Sequence, residues 1–383
     1  MKALIIGARR TAIGRVGGLH KARRLEALAA PLMRALLAET GLPARDVDEV
    51  ALGNAAGGGG NPARLALLRA GLPESVPGVS IDRQCASGLD AILLGARLIE
   101  TGAARIVLAG GAESPSTAPW RVEKPPGLYR GAPRFFEQAR FAPPEIADPT
   151  MAEAAETVAR EAAVSRAAMD AYALESWRRA RAAQAAGRFA REIWPLAPGA
   201  AEGIDECVRP RLSAELLARM PPLIPGGTVT AGTTCQICDG AAMALLVAQD
   251  VWIGLGRPQA LRFVGAAAAG VHPARLGLGP VPAAAKAFAQ SGRSLADVSE
   301  VEFNEAFASQ VIASLEAMGR IDAGAVNADG GALAFGHPFG ASGAVIVTRL
   351  FSRMLAAGAG GGLGLATLGA AGGLGVAALF ERA

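Results

Sequence analysis

Three residues in this chain could do nucleophilic chemistry together. They are a cysteine in RQCASGLDA (83–91), a histidine in GGALAFGHPFGASGA (330–344) and an asparagine in VEFNEAFASQ (301–310). Cys85 stands at an expected strand-to-helix junction, where free backbone N–H groups and the positive end of the helix dipole lower a thiol from its free pKa of roughly 8.5 and favour the thiolate. Ala86, Ser87 and Gly88 leave room for a bulky group to approach. A lone cysteine so placed reads either as a nucleophile or as a packed thiol. His337 lies between two glycine-rich turns, and a Cys–His pair would supply a nucleophile with its base. His20 and His272 stand in loop-like contexts beside polar residues or proline, as structural or exposed histidines. Asn304 ends a short strand, where its amide either orients a water or a histidine or caps the next helix.

The elements that must position these residues repeat along the chain. DVDEVALGN (46–54) resembles DVSEVEFNE (297–305), and CASGLDAILLGARLIETG (85–102) resembles GASGAVIVTRLFSRMLAAG (340–358). Each unit reads as a helical run ending in Gly, a short apolar strand, a glycine-rich turn and an ASG helix, which predicts an α/β sandwich with parallel strands. Pseudo-symmetry then brings the helix starts near Cys85 and His337 close together. Leu89, Ile92, Leu93, Ala96 and Ile99 are spaced for one buried helix face, as are Val347, Leu350, Phe351, Met354 and Leu355 in the second copy. Residues 116–238 have no counterpart. Eight prolines between 115 and 149 exclude long regular elements there, and an Ala/Arg/Glu helical stretch follows over 151–188. The expected division is 1–115 plus 239–257, an inserted loop subdomain 116–238, and 258–383.

Composition bounds the function. The 383 residues are 51% hydrophobic and 19% charged with 49 glycines, a globular enzyme-like chain of more than one core. A net charge of +4 with scattered Lys and Arg argues against nucleic acid. The densest basic spot, KARR (21–24), opens an amphipathic run, as a solvated helix face or an anion site. MKALIIGARR is too short in apolar residues to span a membrane and reads as a first buried strand. Four unevenly spaced cysteines make no disulfide framework, which fits a reducing cytoplasm. TTCQICDG invites a metal or redox reading but lacks a second ligand pair, leaving packing as the alternative. The tail GAGGGLGLATLGAAGGLG has no GK[ST] ending, so it reads as a tight strand pair and not a phosphate loop.

RTAIGRVGG (10–18), RQCASGLDA, GGAES (110–114), GTVTAG (227–232), NEAFA (304–308), GGALAFGHPFGASGA and GLATLGAAGGLG (364–375) together resemble the ordered motif series of the thiolases, the acetyl-CoA C-acyltransferases, over nearly the whole chain. The resemblance implies the thiolase fold, two pseudo-symmetric α/β halves in a five-layered αβαβα sandwich. It implies acyl transfer through Cys85, activated by His337. Asn304 would hold a water at the thioester enolate, and the backbone N–H groups of Cys85 and Ala371 would form an oxyanion hole. Coenzyme A or acyl-CoA enters as substrate, with no bound cofactor or metal. The positions matching the family's CoA-covering surface are Met151, Arg209, Leu223, Ala231, Cys235 and Phe307. A homodimer or homotetramer is the implied assembly.

One departure stands out. Where thiolases carry a second cysteine that moves the α-carbon proton, this chain has Gly369, and Ala306 occupies the place used by a relative of the family. A positioned acid or base contributes roughly 10² to 10⁴ in rate. Two other readings therefore stand beside a thiolase-type acyltransferase: a decarboxylating condensing enzyme, in which CO2 loss generates the carbanion, and a degenerate acyl-CoA binder with little chemistry.

Overall fold

ALIIGARR becomes strand β1 (Ala3–Arg10), buried on both faces almost throughout, as a continuous apolar run in a covered sheet should be. The computed structural model describes residues 1–127, 129–136, 138–197, 203–208, 212–319, 324–356 and 361–383. After β1 come β2 (Gly14–Arg15), α1 (Leu25–Thr40), β3 (Glu49–Gly53), α2 (Pro62–Ala70), β4 (Gly78–Ile81), α3 (Ser87–Glu100) and β5 (Ile106–Glu113). The middle of the chain holds β6 (Arg121–Glu123), β7 (Arg134–Phe136), α4 (Met151–Glu161), α5 (Arg166–Ala185) and α6 (Ala214–Ala218). Then follow β8 (Cys238–Ala248), α7 (Gln249–Gly254), β9 (Leu261–Gly270), α8 (Pro280–Ser291), β10 (Val298–Phe303), α9 (Ala308–Ala317), α10 (Ala332–Phe335), α11 (Phe339–Met354), β11 (Leu363–Ala370) and β12 (Leu374–Arg382).

The strands run β10-β11-β12-β9-β1-β8-β5-β3-β4 along one path, with β2 on β8. Only two residue pairs, Leu4 with Arg262 and Ile5 with Leu261, join its two halves through β1 and β9. Three apolar clusters show the layering. Helices α1 and α2 cover the outer face of the β1-β8-β5-β3 half, and α8 and α9 cover the outer face of the β9 to β12 half. Helices α3 and α11 fill the space between the halves and bury residues of both. The order helix, sheet, helix, sheet, helix is the five-layered sandwich expected.

The sequence repeat is a structural repeat. A 3₁₀ turn precedes β3 at Ala44–Asp46 and β10 at Leu295–Asp297, β3 and β10 each have a parallel neighbour, and α3 matches α11. Two expectations need correction. The sheet is mixed, because β8 returns antiparallel between β1 and β5 and β12 folds back on β11 through the 371–373 turn. Nor does α11 bury one face: twelve residues from Gly340 to Met354 are buried, since sheets lie on both sides of the helix. Central position, not amphipathicity, decides its exposure.

The two central helices touch through glycine. A Cβ placed on Gly88 would lie 2.7 Å from the Gly340 carbonyl oxygen and 3.0 Å from the Ala344 nitrogen, both main-chain atoms that cannot swing aside. Gly88→Ala should therefore cost about 1–3 kcal/mol by overpacking, read as a lower urea midpoint, and should displace the Cys85 turn three residues away.

Candidate active site

Cys85 is held at the tip of a tied turn. Gln84 adopts φ 51°, a left-handed conformation uncommon for a residue with a side chain and a mark of a functional turn. The Asp82 carboxylate accepts from the Gln84 N–H at 2.8 Å, and Ser87 Oγ accepts from the Arg83 N–H at 2.8 Å while donating to the Gln84 carbonyl at 2.5 Å. Arg83 is ion-paired with Asp90 one turn into α3. These contacts thread the chain into α3, which starts two residues after Cys85.

His337 reaches the thiol across the interface between the halves: its Nε2 lies 3.2 Å from Cys85 Sγ, and its Nδ1 lies 2.6 Å from Ser342 Oγ. The His337 N–H donates to the Gln236 carbonyl at 2.8 Å, and its own carbonyl accepts from Cys238 at 3.3 Å, so the ring's backbone is pinned to the start of β8. Ser342 and Ser87 are equivalent serines of the repeated ASG motif, and each braces the turn that carries a reacting group. The repeat itself was the signal that could have singled out Ser342.

The electrostatics differ from the sequence reading. Burial pushes the Cys85 thiol up to about 12, with the Glu113 carboxylate adding to the rise, while the N–H groups of Cys85 and Ala371 pull it down. Burial also pushes His337 down to about 4. Desolvation outweighs the helix dipole because the pair sits between two sheets, so the resting pair is a neutral thiol donating to a neutral imidazole. The Nδ1 proton then belongs on the Ser342 side. An imidazole with a depressed pKa remains an available base down to that value, so Cys85 acylation should hold through pH 6.5, the ordinary imidazole value, and fall away near pH 4. Stopped-flow acylation across pH 3.5–8 checks it.

The Asn304 amide is buried, and its Nδ2 donor has no partner among the described residues. Helix capping is excluded as its role, because α9 starts after Phe307 with no side-chain cap. Its backbone N–H donates to the Thr367 carbonyl at 3.1 Å, which ties the 304 loop to β11. The Ala371 N–H faces the Cys85 sulfur from the β11–β12 turn. Gly369 is different: a Cβ there would point at Gln310 Nε2 (2.9 Å), the Leu276 carbonyl (3.1 Å) and Pro280 Cδ (3.5 Å). An amide, not a titratable group, faces that position.

Two buried carboxylates frame the site and were missed from sequence. Glu113, in GGAES, accepts from the N–H groups of Ala55, Ala56 and Gly340 and from Asn54 Nδ2 at 2.7–3.1 Å, fixing the first turn of α11. Burial raises it to about 7. Glu305, in NEAFA, accepts from Tyr172, Ser176, Asn327 and the Leu333 N–H at 2.7–3.1 Å, clamping the Asn304 loop to α5 and α10. Neither was assigned a role from the sequence. Only the fold shows that they collect backbone donors from distant segments.

A cavity of about 310 Å³ adjoins the His337 turn, lined by Leu223, Ala231 and Cys235 of the expected substrate positions together with Trp177, Cys207 and Gln236. Met151 and Phe307 are not on that lining and pack in the apolar cluster beneath α4 and α9. Arg209 lies outside the described residues. The TTCQICDG cysteines do not pair with each other: Cys235 is on the cavity wall, whereas Cys238 lies 3.3 Å from Cys207. All four cysteines are free thiols. Among the described residues no group of three or more His, Cys, Asp or Glu side chains is placed for a metal ion, and no helix is long and apolar enough to cross a membrane.

Comparison with known proteins agrees with this geometry. The thiolase N-terminal domain model matches residues 3–250 and the thiolase C-terminal domain model matches 258–382. The chain belongs to the thiolase family. It is 42% identical over 373 residues to the VraB protein of Staphylococcus epidermidis, whose name assigns it provisionally as an acetyl-CoA C-acetyltransferase, with 95% of this chain and 97% of that one covered. VraB of Staphylococcus aureus is 40% identical over 375 residues, covering 96% and 98%. The crystal structure of the Bacillus anthracis acetyl-CoA acetyltransferase superposes with a TM-score of 0.93 at 33% identity, covering 100% of this chain and 99% of that one. As a thiolase this protein is an acyltransferase, and neither the decarboxylating reading nor the degenerate one is favoured.

Proposed function

We propose that this thiolase transfers acyl groups between coenzyme A thioesters through an acyl-cysteine on Cys85. The observation that carries the reading is the 3.2 Å contact between His337 Nε2 and Cys85 Sγ, with the ring oriented by Ser342. As Sγ attacks the thioester carbonyl, Nε2 takes the thiol proton and later returns it to the departing CoA sulfur. The N–H groups of Cys85 and Ala371, both directed at the sulfur, meet the oxyanion that forms beside it. In the second half-reaction, Asn304 Nδ2 and the neutral His337 ring in its Nε2–H tautomer are the donors available to a thioester enolate.

The α-carbon proton needs its own carrier. Gly369 offers none, and Cys235 is a thiol on the cavity wall whose pKa is raised by burial, with its neighbour Cys85 adding to the rise. The reading takes the cavity as the pantetheine arm's path and keeps Met151, Phe307 and Arg209 as proposed CoA contacts, Arg209 for the nucleotide end. Free thiols throughout support a reducing, cytoplasmic setting, and the half-buried edge strand β4 supports a homodimer or homotetramer.

Intact mass spectrometry after incubation with acetyl-CoA should show one acetyl adduct that maps to Cys85. CoA-dependent cleavage of acetoacetyl-CoA should exceed that of a Cys85→Ala protein. An adduct elsewhere, or cleavage equal to that variant, sinks the proposal; an adduct that survives in Cys235→Ala while cleavage is lost assigns the proton carrier.

A further inference from the structure

Outside the reacting set, one pair of nucleophilic side chains has a geometry of its own. Cys207 and Cys238 are both buried, with sulfurs 3.3 Å apart, and they come from different parts of the fold. Cys207 belongs to the irregular segment ahead of α6, where Asp205 and Glu206 hold the β1–β2 connection and β2 by hydrogen bonds to the Ile13 and Arg15 N–H groups. Cys238 opens β8 beside the His337 backbone. Gly336 lies over the pair. A Cβ there would meet Cys207 Sγ at 3.3 Å and run into Cys238 Sγ, so these thiols pack directly beneath the residue preceding His337. A disulfide needs its sulfurs at about 2.05 Å, so closure requires an approach of about 1.2 Å. The two thiols are not equivalent in access. Cys207 lines the cavity, which admits a small solute, whereas Cys238 is sealed behind it.

We propose that Cys207 and Cys238 are a modification site that a small peroxide converts to a disulfide. The Cys207 sulfur takes one oxygen from the peroxide, giving a sulfenic acid and releasing water from hydrogen peroxide or an alcohol from an alkyl peroxide. The Cys238 sulfur then attacks the sulfenic sulfur. Its proton leaves with the displaced hydroxide as water, and the S–S bond forms. Two electrons pass from the two sulfurs to the peroxide. A small thiol reverses the step by thiol–disulfide exchange. The crosslink would tie the irregular segment to β8 directly under the His337 turn, a region that the reduced protein holds there by packing, hydrogen bonds and the Arg10–Asp205 and Arg15–Glu206 ion pairs.

The test uses the intact wild-type protein. After brief exposure to a slight excess of hydrogen peroxide, it is denatured in N-ethylmaleimide and peptide-mapped. The expected product is lighter by two hydrogens, joins the peptides containing Cys207 and Cys238, leaves both unlabelled by maleimide, and reverts with a phosphine reductant. In Cys238→Ala, Cys207 should stop at the sulfenic acid and be trapped by dimedone. Peroxide-treated protein in which Cys207 and Cys238 are both alkylated overturns the proposal, as does a disulfide between Cys85 and Cys235 with this pair untouched. No step of the readout depends on acyl transfer, so its failure and failure of the functional reading are distinguishable.

Discussion

His337→Asn should form the Cys85 acyl adduct about 10³-fold more slowly than wild type, the middle of the range for a positioned base. The size follows from the resting state of the pair. A thiol pushed up to about 12 is ionised to only roughly one part in 10⁴ to 10⁵ near pH 7.5, so attack depends on Nε2 taking the proton during the reaction and not on a standing thiolate. The variant should therefore also acquire a new pH dependence. With hydroxide doing the work of the ring, its rate should climb about tenfold per pH unit through the alkaline range, while the wild type does not. Single-turnover acylation followed by quenched-flow mass spectrometry reads both. If the variant keeps wild-type rate and pH dependence, the thiol is activated by something other than His337.

Arg10→Met should lower the unfolding free energy by about 3–5 kcal/mol, the cost of leaving a buried carboxylate without its cation. Arg10 is fully buried at the end of β1, bidentate to Asp205 at 2.7 and 2.9 Å and bound to Glu192 at 2.9 and 3.2 Å. Glu192 is shared with Arg349 of α11, which also bonds Glu302 of β10 at 3.2 Å and lies over the Phe189 and Phe335 rings at 4.9 and 4.8 Å. The cluster joins β1, the middle segment, α11 and β10 without exposing a charge. Loss of Arg10 takes the cation from Asp205, which still accepts from the Ile13 N–H, and leaves Glu192 to Arg349, in a medium where solvation cannot replace the lost charge. Chemical denaturation should show the loss as a lower midpoint, and the partner variant Asp205→Asn combined with Arg10→Met should cost less than the sum of the two. An additive double mutant would mean that the two residues do not act as a unit.

Arg10 also marks the limit of reading by pattern. ALIIGARR predicts a buried strand with a polar end, yet Arg10 is buried as completely as Ile5. Its partners lie 182 and 195 residues away, in a segment whose own sequence carries no regular signal. Glu113 and Glu305 were hidden for the same reason, since a carboxylate in a motif looks alike whether it meets water or collects four donors. The thiol's state was also misjudged from sequence: a helix start favours a thiolate locally, and two sheets closing over it reverse the sign.

The residues by themselves determined the repeat, the element order within each unit, the pairing of a cysteine with a histidine and the family. These rest on local spacing and on motifs that survive in order, which need no knowledge of distant neighbours. Tertiary structure alone decided which nitrogen of His337 faces Cys85, that Ser342 orients it, that Asn304 Nδ2 has no partner among the described residues, that Gly369 faces an amide, and that Cys238 pairs with Cys207 rather than Cys235. Each of those depends on desolvation and on contacts between segments far apart in the chain, and both arise only when the layers close.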